Sequence, residues 1–173
     1  MAVVRDATAD DAAACAAIYA PYVTGTAISF EDVPPSAQEM ARRIAAAQQR
    51  HAWLVLEDDD GVVGYAYAGP YKERAAYRWS CEVSVYLAQG RGRAGGGRTL
   101  YEALFARLGE RGYRTAVAGM TQPNEPSEAF HRAMGFEPVG TWRGIGWKHG
   151  RWRDVTWMQR PLTPDDGPPA ELR

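Results

Sequence analysis

Cysteine is nearly absent: Cys15 and Cys81 are the only two in 173 residues. Two thiols are too few for the disulfide framework of a small secreted domain or for a structural zinc site, so a reduced domain with no bound metal is expected. Net charge is missing as well, with 20 Lys and Arg against 21 Asp and Glu. That balance removes any bulk electrostatic case for nucleic acid or an anionic membrane, and an anion site, if there is one, must be local. No segment approaches the roughly 18 consecutive apolar residues of a membrane span. The first residues turn acidic at Asp6, Asp10 and Asp11, where an export signal needs its apolar segment, and this points to a cytoplasmic protein. There is no internal repeat. What is present is a 46% hydrophobic chain of a length that suits one domain with a sizeable core.

Periodicity divides the chain into elements. Residues 3–5 open as a short apolar strand. Thr8 is placed to cap a helix with Asp10 and Asp11 at its positive end, and Pro21 is expected to stop that helix near residue 20. After a connector at 24–35, Ser36-Ala37-Gln38-Glu39 is a capping-box pattern that opens a second helix to about residue 50. Strands are expected at 52–57 and 62–68, with Gly69-Pro70 interrupting the second. Residues 78–88 alternate: Cys81, Val83, Val85 and Leu87 point one way, and Ser80, Glu82, Ser84 and Tyr86 the other. A helix with Leu100, Leu104 and Leu108 on one stripe follows, then a strand at 114–120 and a short helix at 127–134. Two aromatic-rich strands at 137–147 and 152–160 close the chain. Of their tryptophans, Trp142, Trp147, Trp152 and Trp157, most are expected in the core and some on a dimer surface. The order β-α-α-β-β-β-α-β-α-β-β describes a single α+β domain over residues 1–162, its mostly antiparallel sheet flanked by helices. The proline-rich residues 163–173 read as a flexible tail.

Between the alternating strand and the leucine-striped helix lies Gly90-Arg91-Gly92-Arg93-Ala94-Gly95-Gly96-Gly97-Arg98-Thr99. Glycines bring backbone N–H groups close to a ligand, a helix N-terminus adds partial positive charge, and three arginines add full charges, a combination that suits a phosphate or pyrophosphate. A flexible surface connection is the other reading of the same composition. The stretch is one residue type away from G-x-x-x-x-G-K-[ST], but arginine replaces the lysine and the next strand has no aspartate for magnesium, which argues against a nucleotidase.

The loop, with its place between fourth strand and third helix, resembles the pyrophosphate loop [QR]-x-x-G-x-[GA] of the GNAT superfamily of acyl-CoA-dependent N-acyltransferases. Gly92 stands where Gln or Arg is usual, and Arg93 or Arg91 is expected to replace that side chain. The whole element order resembles that superfamily's fold. Within it, Tyr67-Ala68-Gly69-Pro70-Tyr71-Lys72-Glu73-Arg74-Ala75-Ala76-Tyr77, Glu82-Val83-Ser84-Val85-Tyr86 and above all Gly146-Trp147-Lys148-His149-Gly150-Arg151-Trp152-Arg153-Asp154-Val155 look like the phosphinothricin and methionine sulfone (sulfoximine) N-acetyltransferase branch.

The resemblance implies acetyl-CoA as co-substrate and direct transfer to the α-amine of a small amino acid analogue, in a detoxifying role. An ammonium must lose a proton before it can attack, and the resemblance makes Glu82 the general base, where residue type alone leaves a solvated strand glutamate equally open. It places His131 as proton donor or relay on the leaving-thiolate side, with Tyr101 as an alternative donor. Val85 and Leu87 would pair with pantetheine, Arg93, Gly95, Gly97, Arg98 and Thr99 would hold the pyrophosphate, and Asn124 and Ser127 would close the cleft, although Asn124 also reads as a helix cap. Lys72 and Arg74 would grip the substrate's anionic groups, with Phe30, Tyr77, Ser84 and Tyr86 lining the same cavity. A homodimer is expected. Other acceptors (another amino acid, a polyamine, an aminoglycoside or a protein amine) and a non-catalytic acyl-CoA sensor are the alternatives.

Overall fold

The computed structural model describes every residue except Asp165, which falls within the expected tail. Strand β1 (Val3–Asp6) precedes a single 3-10 turn and helix α1 (Ala12–Gly25). Helix α2 (Ala37–Arg50), strands β2 (Ala52–Asp58), β3 (Gly61–Pro70) and β4 (Ser80–Leu87), helix α3 (Gly96–Arg111), strand β5 (Thr115–Thr121), helix α4 (Glu125–Ala133) and strands β6 (Glu137–Lys148) and β7 (Arg151–Pro161) follow. The strands form one sheet in the order β1-β2-β3-β4-β5-β7-β6. Every pairing is antiparallel except β4 with β5. Among the described residues no helix is long and apolar enough to cross a membrane.

The alternation read from β4 decides how the sheet is covered. Cys81 and Val83 join Leu54, Ala66 and Ala68 beneath α3, whose Leu100, Leu104 and Leu108 are fully buried. Burying each leucine contributes about 1.5–3 kcal/mol. The other face carries Trp53, Val55, Tyr65 and Tyr86 against Ile18, Tyr19, Met40 and Ile44 of α1 and α2. Helix α2 starts at Ser36, whose hydroxyl accepts from the Glu39 amide at 3.1 Å, while the Glu39 carboxylate turns to Arg43 at 3.0 Å and does not close the capping box.

Three expectations need correction. Helix α1 runs through Pro21 to Gly25. The missing N–H costs one hydrogen bond near the helix end, while Ile18 and Tyr19 before it and Val23 after it are all buried in the same core. Strand β3 continues through Gly69-Pro70, with Pro70 opposite Cys81 at its last position. The closing tryptophans are outside the core: Trp142, Trp147 and Trp152 are exposed, and Trp157 is half-buried, its ring lying over Gly119. Strand β6 is the edge of the sheet, and its Val139, Trp142, Ile145 and Trp147 are all exposed. The C-terminal residues run back along the domain, where Ala170 accepts from the Trp79 indole at 3.0 Å and Leu172 packs on the core.

Candidate active site

The parallel pairing of β4 with β5 covers only Ser80–Glu82 opposite Thr115–Val117. Beyond Glu82 and Val117 the two strands part, and a wedge opens in the middle of the sheet. Hydrogen-bonded pairs alternate along an antiparallel ladder. Because the Ala88 amide donates to Val63, the residues of β4 that bond β3 are Glu82, Ser84 and Tyr86. The main-chain groups of Val83, Val85 and Leu87 therefore face the wedge. One of them is taken: the Tyr22 hydroxyl donates to the Leu87 carbonyl at 2.7 Å.

Glu82 sits at the apex, on the α1/α2 face, half-buried. Among the described residues no side-chain donor or cation reaches its carboxylate. Burial alone raises its pKa. Its charge is felt by Tyr67 and Tyr101, whose hydroxyls are pushed up first by burial. Ser84 is half-buried two residues along, and Tyr86 packs edge-on to Tyr19 and Tyr22 with ring centroids 4.9 and 5.1 Å away.

On the α3/α4 face His131 is buried, and both ring nitrogens have partners. Nδ1 lies 2.8 Å from the Ser127 carbonyl, which can only accept, and so carries the proton. Nε2 then accepts from the Tyr101 hydroxyl at 3.1 Å. Burial lowers the histidine pKa, partly opposed by the Ser127 carbonyl, so the ring is held neutral. Its two bonds thus join the Ser127 carbonyl of α4 to Tyr101 of α3.

At the mouth of the wedge Gly95 (φ +82°) caps α3 with no side-chain help. The first main-chain bond of the helix is Thr99 to Gly95, which leaves the amides of Gly96, Gly97 and Arg98 without helical partners and aimed outward. Gly97 also admits the Phe130 ring, 3.3 Å from where a Cβ would stand. Arg93 and Arg98 are exposed beside this terminus. Arg91 is instead drawn to Asp58 at 2.9 Å and to Asp60 in the β2–β3 turn. The Thr99 hydroxyl donates back to Gly95 at 3.2 Å. Asn124 is the N-cap of α4, accepting from the Ser127 amide at 3.3 Å, and also lines a cavity of about 370 Å³ between the α1–α2 connector and β7.

A larger cavity of about 640 Å³ lies below β3 and α2, and it brings together Lys72, Arg74 and Tyr77. Its wall carries five cationic side chains, Arg43, Arg50, Lys72, Arg74 and Arg78, against the single carboxylate of Glu73. The Lys72 ammonium lies 5.3 and 5.7 Å from the centroids of Tyr71 and Tyr77. Tyr67, stacked on Trp53 at 4.3 Å, lines this cavity and approaches Glu82. Phe30 is not on the cavity wall; it rests against Gly146 of β6.

Sequence reasoning missed two features here. Arg43 forks onto Glu31 at 2.9 and 2.6 Å, holding that carboxyl below its usual range, and Lys148 is buried. The first pairs residues twelve apart with no periodic signal. The second lies inside the motif quoted above, but lysine is so rarely buried that residue type gives no hint of it.

Residues 4–157 match the model of the Acetyltransferase (GNAT) domain. The chain is 40% identical over 157 residues to the phosphinothricin N-acetyltransferase of Streptomyces viridochromogenes, covering 91% of this chain and 86% of that one. It is 35% identical to the L-methionine sulfoximine/L-methionine sulfone acetyltransferase of Pseudomonas paraeruginosa, covering 96% and 98%. Among solved structures, a GNAT superfamily phosphinothricin acetyltransferase from Sinorhizobium meliloti in complex with AcCoA superposes with a TM-score of 0.93 at 38% identity, covering 98% of this chain and 94% of that one.

Proposed function

The chain belongs to the GNAT acetyltransferase family, and from that premise we propose that it moves the acetyl group of acetyl-CoA to the α-amine of a small amino acid analogue bearing a phosphinyl or oxidised-sulfur group, with Glu82 as general base. The observation that carries this reading is the apex of the wedge. A half-buried carboxylate without a partner, its pKa raised by burial, stands where the main chain of β4 becomes unpaired. A base poised toward neutrality can take the ammonium proton and release it to solvent. The substrate class is supported by the names of the relatives at 40% and 35% identity.

The wedge suits acetyl-CoA, which would supply the activated thioester. The bare amides of Gly96, Gly97 and Arg98, with Arg93 and Arg98 beside them, fit a pyrophosphate, and the main-chain groups of Val85, with the Leu87 amide, fit an amide-bearing pantetheine. Asn124 and Ser127 border the far side. The acceptor approaches from the Glu82 face, where the basic cavity wall suits the carboxylate of an amino acid and repels a polycation. On the opposite face the Tyr101 hydroxyl would turn its single proton from His131 Nε2 to the departing sulfur and regain a proton from solvent once coenzyme A leaves, with His131 as the positioning residue behind it. Transfer is direct. Burial pushes the Cys15 and Cys81 thiols up to about 11 and about 12, so neither is a thiolate near neutrality. We further propose a homodimer through the edge formed by Val139, Trp142, Ile145 and Trp147 of β6 with Trp152 of β7, all exposed.

Thiol release from acetyl-CoA against phosphinothricin, methionine sulfone, methionine sulfoximine, plain amino acids, spermidine and an aminoglycoside tests this reading. Turnover confined to the three analogues, lost in Glu82→Gln with acetyl-CoA binding intact, is the expected result. Equal turnover in Glu82→Gln would remove the base, and turnover only with polyamines would remove the substrate class.

A further inference from the structure

The motif from Gly146 to Val155 is the most distinctive stretch of the sequence, yet none of its residues lines the basic cavity; His149, Arg151 and Arg153 line the smaller cavity with Asn124. We propose that the tip of the β6–β7 hairpin, through Lys148 with Gly146 and His149, is a latch that fixes the α1–α2 connector and so sets how Phe30 is presented to the acceptor. This rests on the proposed function, and the connector borders its acceptor side: Ser29 meets the Tyr19 hydroxyl at 2.7 Å, and Glu31 holds Arg43 of the basic cavity wall.

Lys148 is 5% exposed, and a buried ammonium is costly unless its hydrogens are satisfied. Its Nζ donates to the Val23 carbonyl at 2.9 Å and to the Glu31 carbonyl. Val23 lies in the last turn of α1, where carbonyls lack helical partners and the helix dipole favours a cation. Glu31 lies eight residues beyond Val23, in a segment with no helix or strand. One ammonium thus pins both ends of the irregular stretch that carries Ser29 and Phe30. The neighbouring His149 Nε2 donates to the Thr26 carbonyl at 3.0 Å. Gly146 completes the seat, since a Cβ there would stand 2.3 Å from Cε2 of Phe30, closer than any side-chain carbon can come.

The tip is itself held from behind. His149 (φ +51°) and Gly150 (φ +72°) make a two-residue turn of the kind that suits a twisted hairpin. Arg153 Nε donates to the Lys148 carbonyl at 3.1 Å, and Asp154 accepts from the Gly144 amide at 2.8 Å across an irregularity in β6. The latch also joins the two halves of the sheet. The connector belongs to the block β1–β4, the hairpin to the block β5–β7, and the latter meets the former in the sheet only along three residue pairs.

Lys148→Met keeps the length of the side chain and removes its charge; Lys148→Arg keeps the charge, and Gly146→Ala displaces the Phe30 ring alone. Amide hydrogen exchange is read over residues 24–33 and over α3, with KM for the amino acid and for acetyl-CoA measured in parallel. In Lys148→Met, exchange over 24–33 rises about tenfold or more with α3 unchanged, and acceptor KM rises about tenfold while acetyl-CoA KM holds. Lys148→Arg recovers part of both. Gly146→Ala raises acceptor KM without altering exchange. Unchanged exchange in folded Lys148→Met overturns the latch. Faster exchange with unchanged acceptor KM in both Lys148→Met and Gly146→Ala reduces it to scaffolding and overturns its effect on the acceptor. If the wild-type protein acetylates no amino acid, the functional reading fails, and the exchange arm still decides the latch by itself.

Discussion

Replacing Tyr101 by phenylalanine removes one oxygen from a site where Tyr101 is fully buried and His131 is 5% exposed. The hydroxyl and the ring nitrogen are 3.1 Å apart, a neutral pair whose net contribution is about 1 kcal/mol. Leaving the other partner unsatisfied costs more, about 1–3 kcal/mol, because the orphaned group has lost water without replacement. Tyr101→Phe strands the histidine nitrogen, and His131→Leu strands the tyrosine hydroxyl. The double variant strands neither of these two. The two single losses should therefore exceed the loss in the double variant by about 1–2 kcal/mol. Urea unfolding followed by tryptophan fluorescence, with equal m-values across the four proteins, measures this. Activity supplies the second half. If Tyr101 protonates the departing sulfur, Tyr101→Phe lowers kcat by about 10²-fold, in the range of general acid catalysis, with acetyl-CoA KM unchanged. Stabilities that add within about 0.5 kcal/mol would refute the pairing, and an undiminished kcat in Tyr101→Phe would refute the donor.

Two further outcomes follow from the same geometry. Burial, assisted by the charges of Arg111 and Arg50, lowers the His51 pKa from 6.5 to about 4. The neutral ring's contribution is complete above pH 6.5 and is lost as pH falls from there toward 4, because the unfolded chain takes up the proton first. Wild type should thus lose up to about 2 kcal/mol more than His51→Phe between pH 7 and 4.5 in urea titrations, and parallel pH profiles would disprove this. For the proposed dimer, Trp142→Glu with Trp147→Glu should convert the species seen by sedimentation equilibrium from dimer to monomer. A wild-type monomer at high protein concentration would dispose of the interface.

The sequence carried the fold where the signal was local. Alternation in β4 put Glu82 on the face opposite Cys81, and that is where it stands, because strand side chains obey a two-residue period whatever lies around them. The glycine-arginine loop declared a helix N-terminus in the same way. What depends on the order of strands or the crossing of helices was not legible. The tryptophans of β6 are hydrophobic enough for a core, and only the edge position of their strand leaves them outside. Arg91 looked like a phosphate ligand until the fold set Asp58 and Asp60 beside it. The His131–Tyr101 bond spans thirty residues and exists because α4 lies against α3. Helix α1 outlasted Pro21 because burial on both sides of it outweighs one missing bond.

The parting of β4 from β5 has a consequence for solubility as well as for chemistry. A strand with unpaired main-chain groups is ordinarily a template on which another polypeptide can add itself. Here that raw edge lies inside the sheet, between β4 and β5, and not at its rim. The protein thus keeps the stickiest feature of a β-sheet in the interior of its own sheet, flanked by β4 and β5 of the same chain.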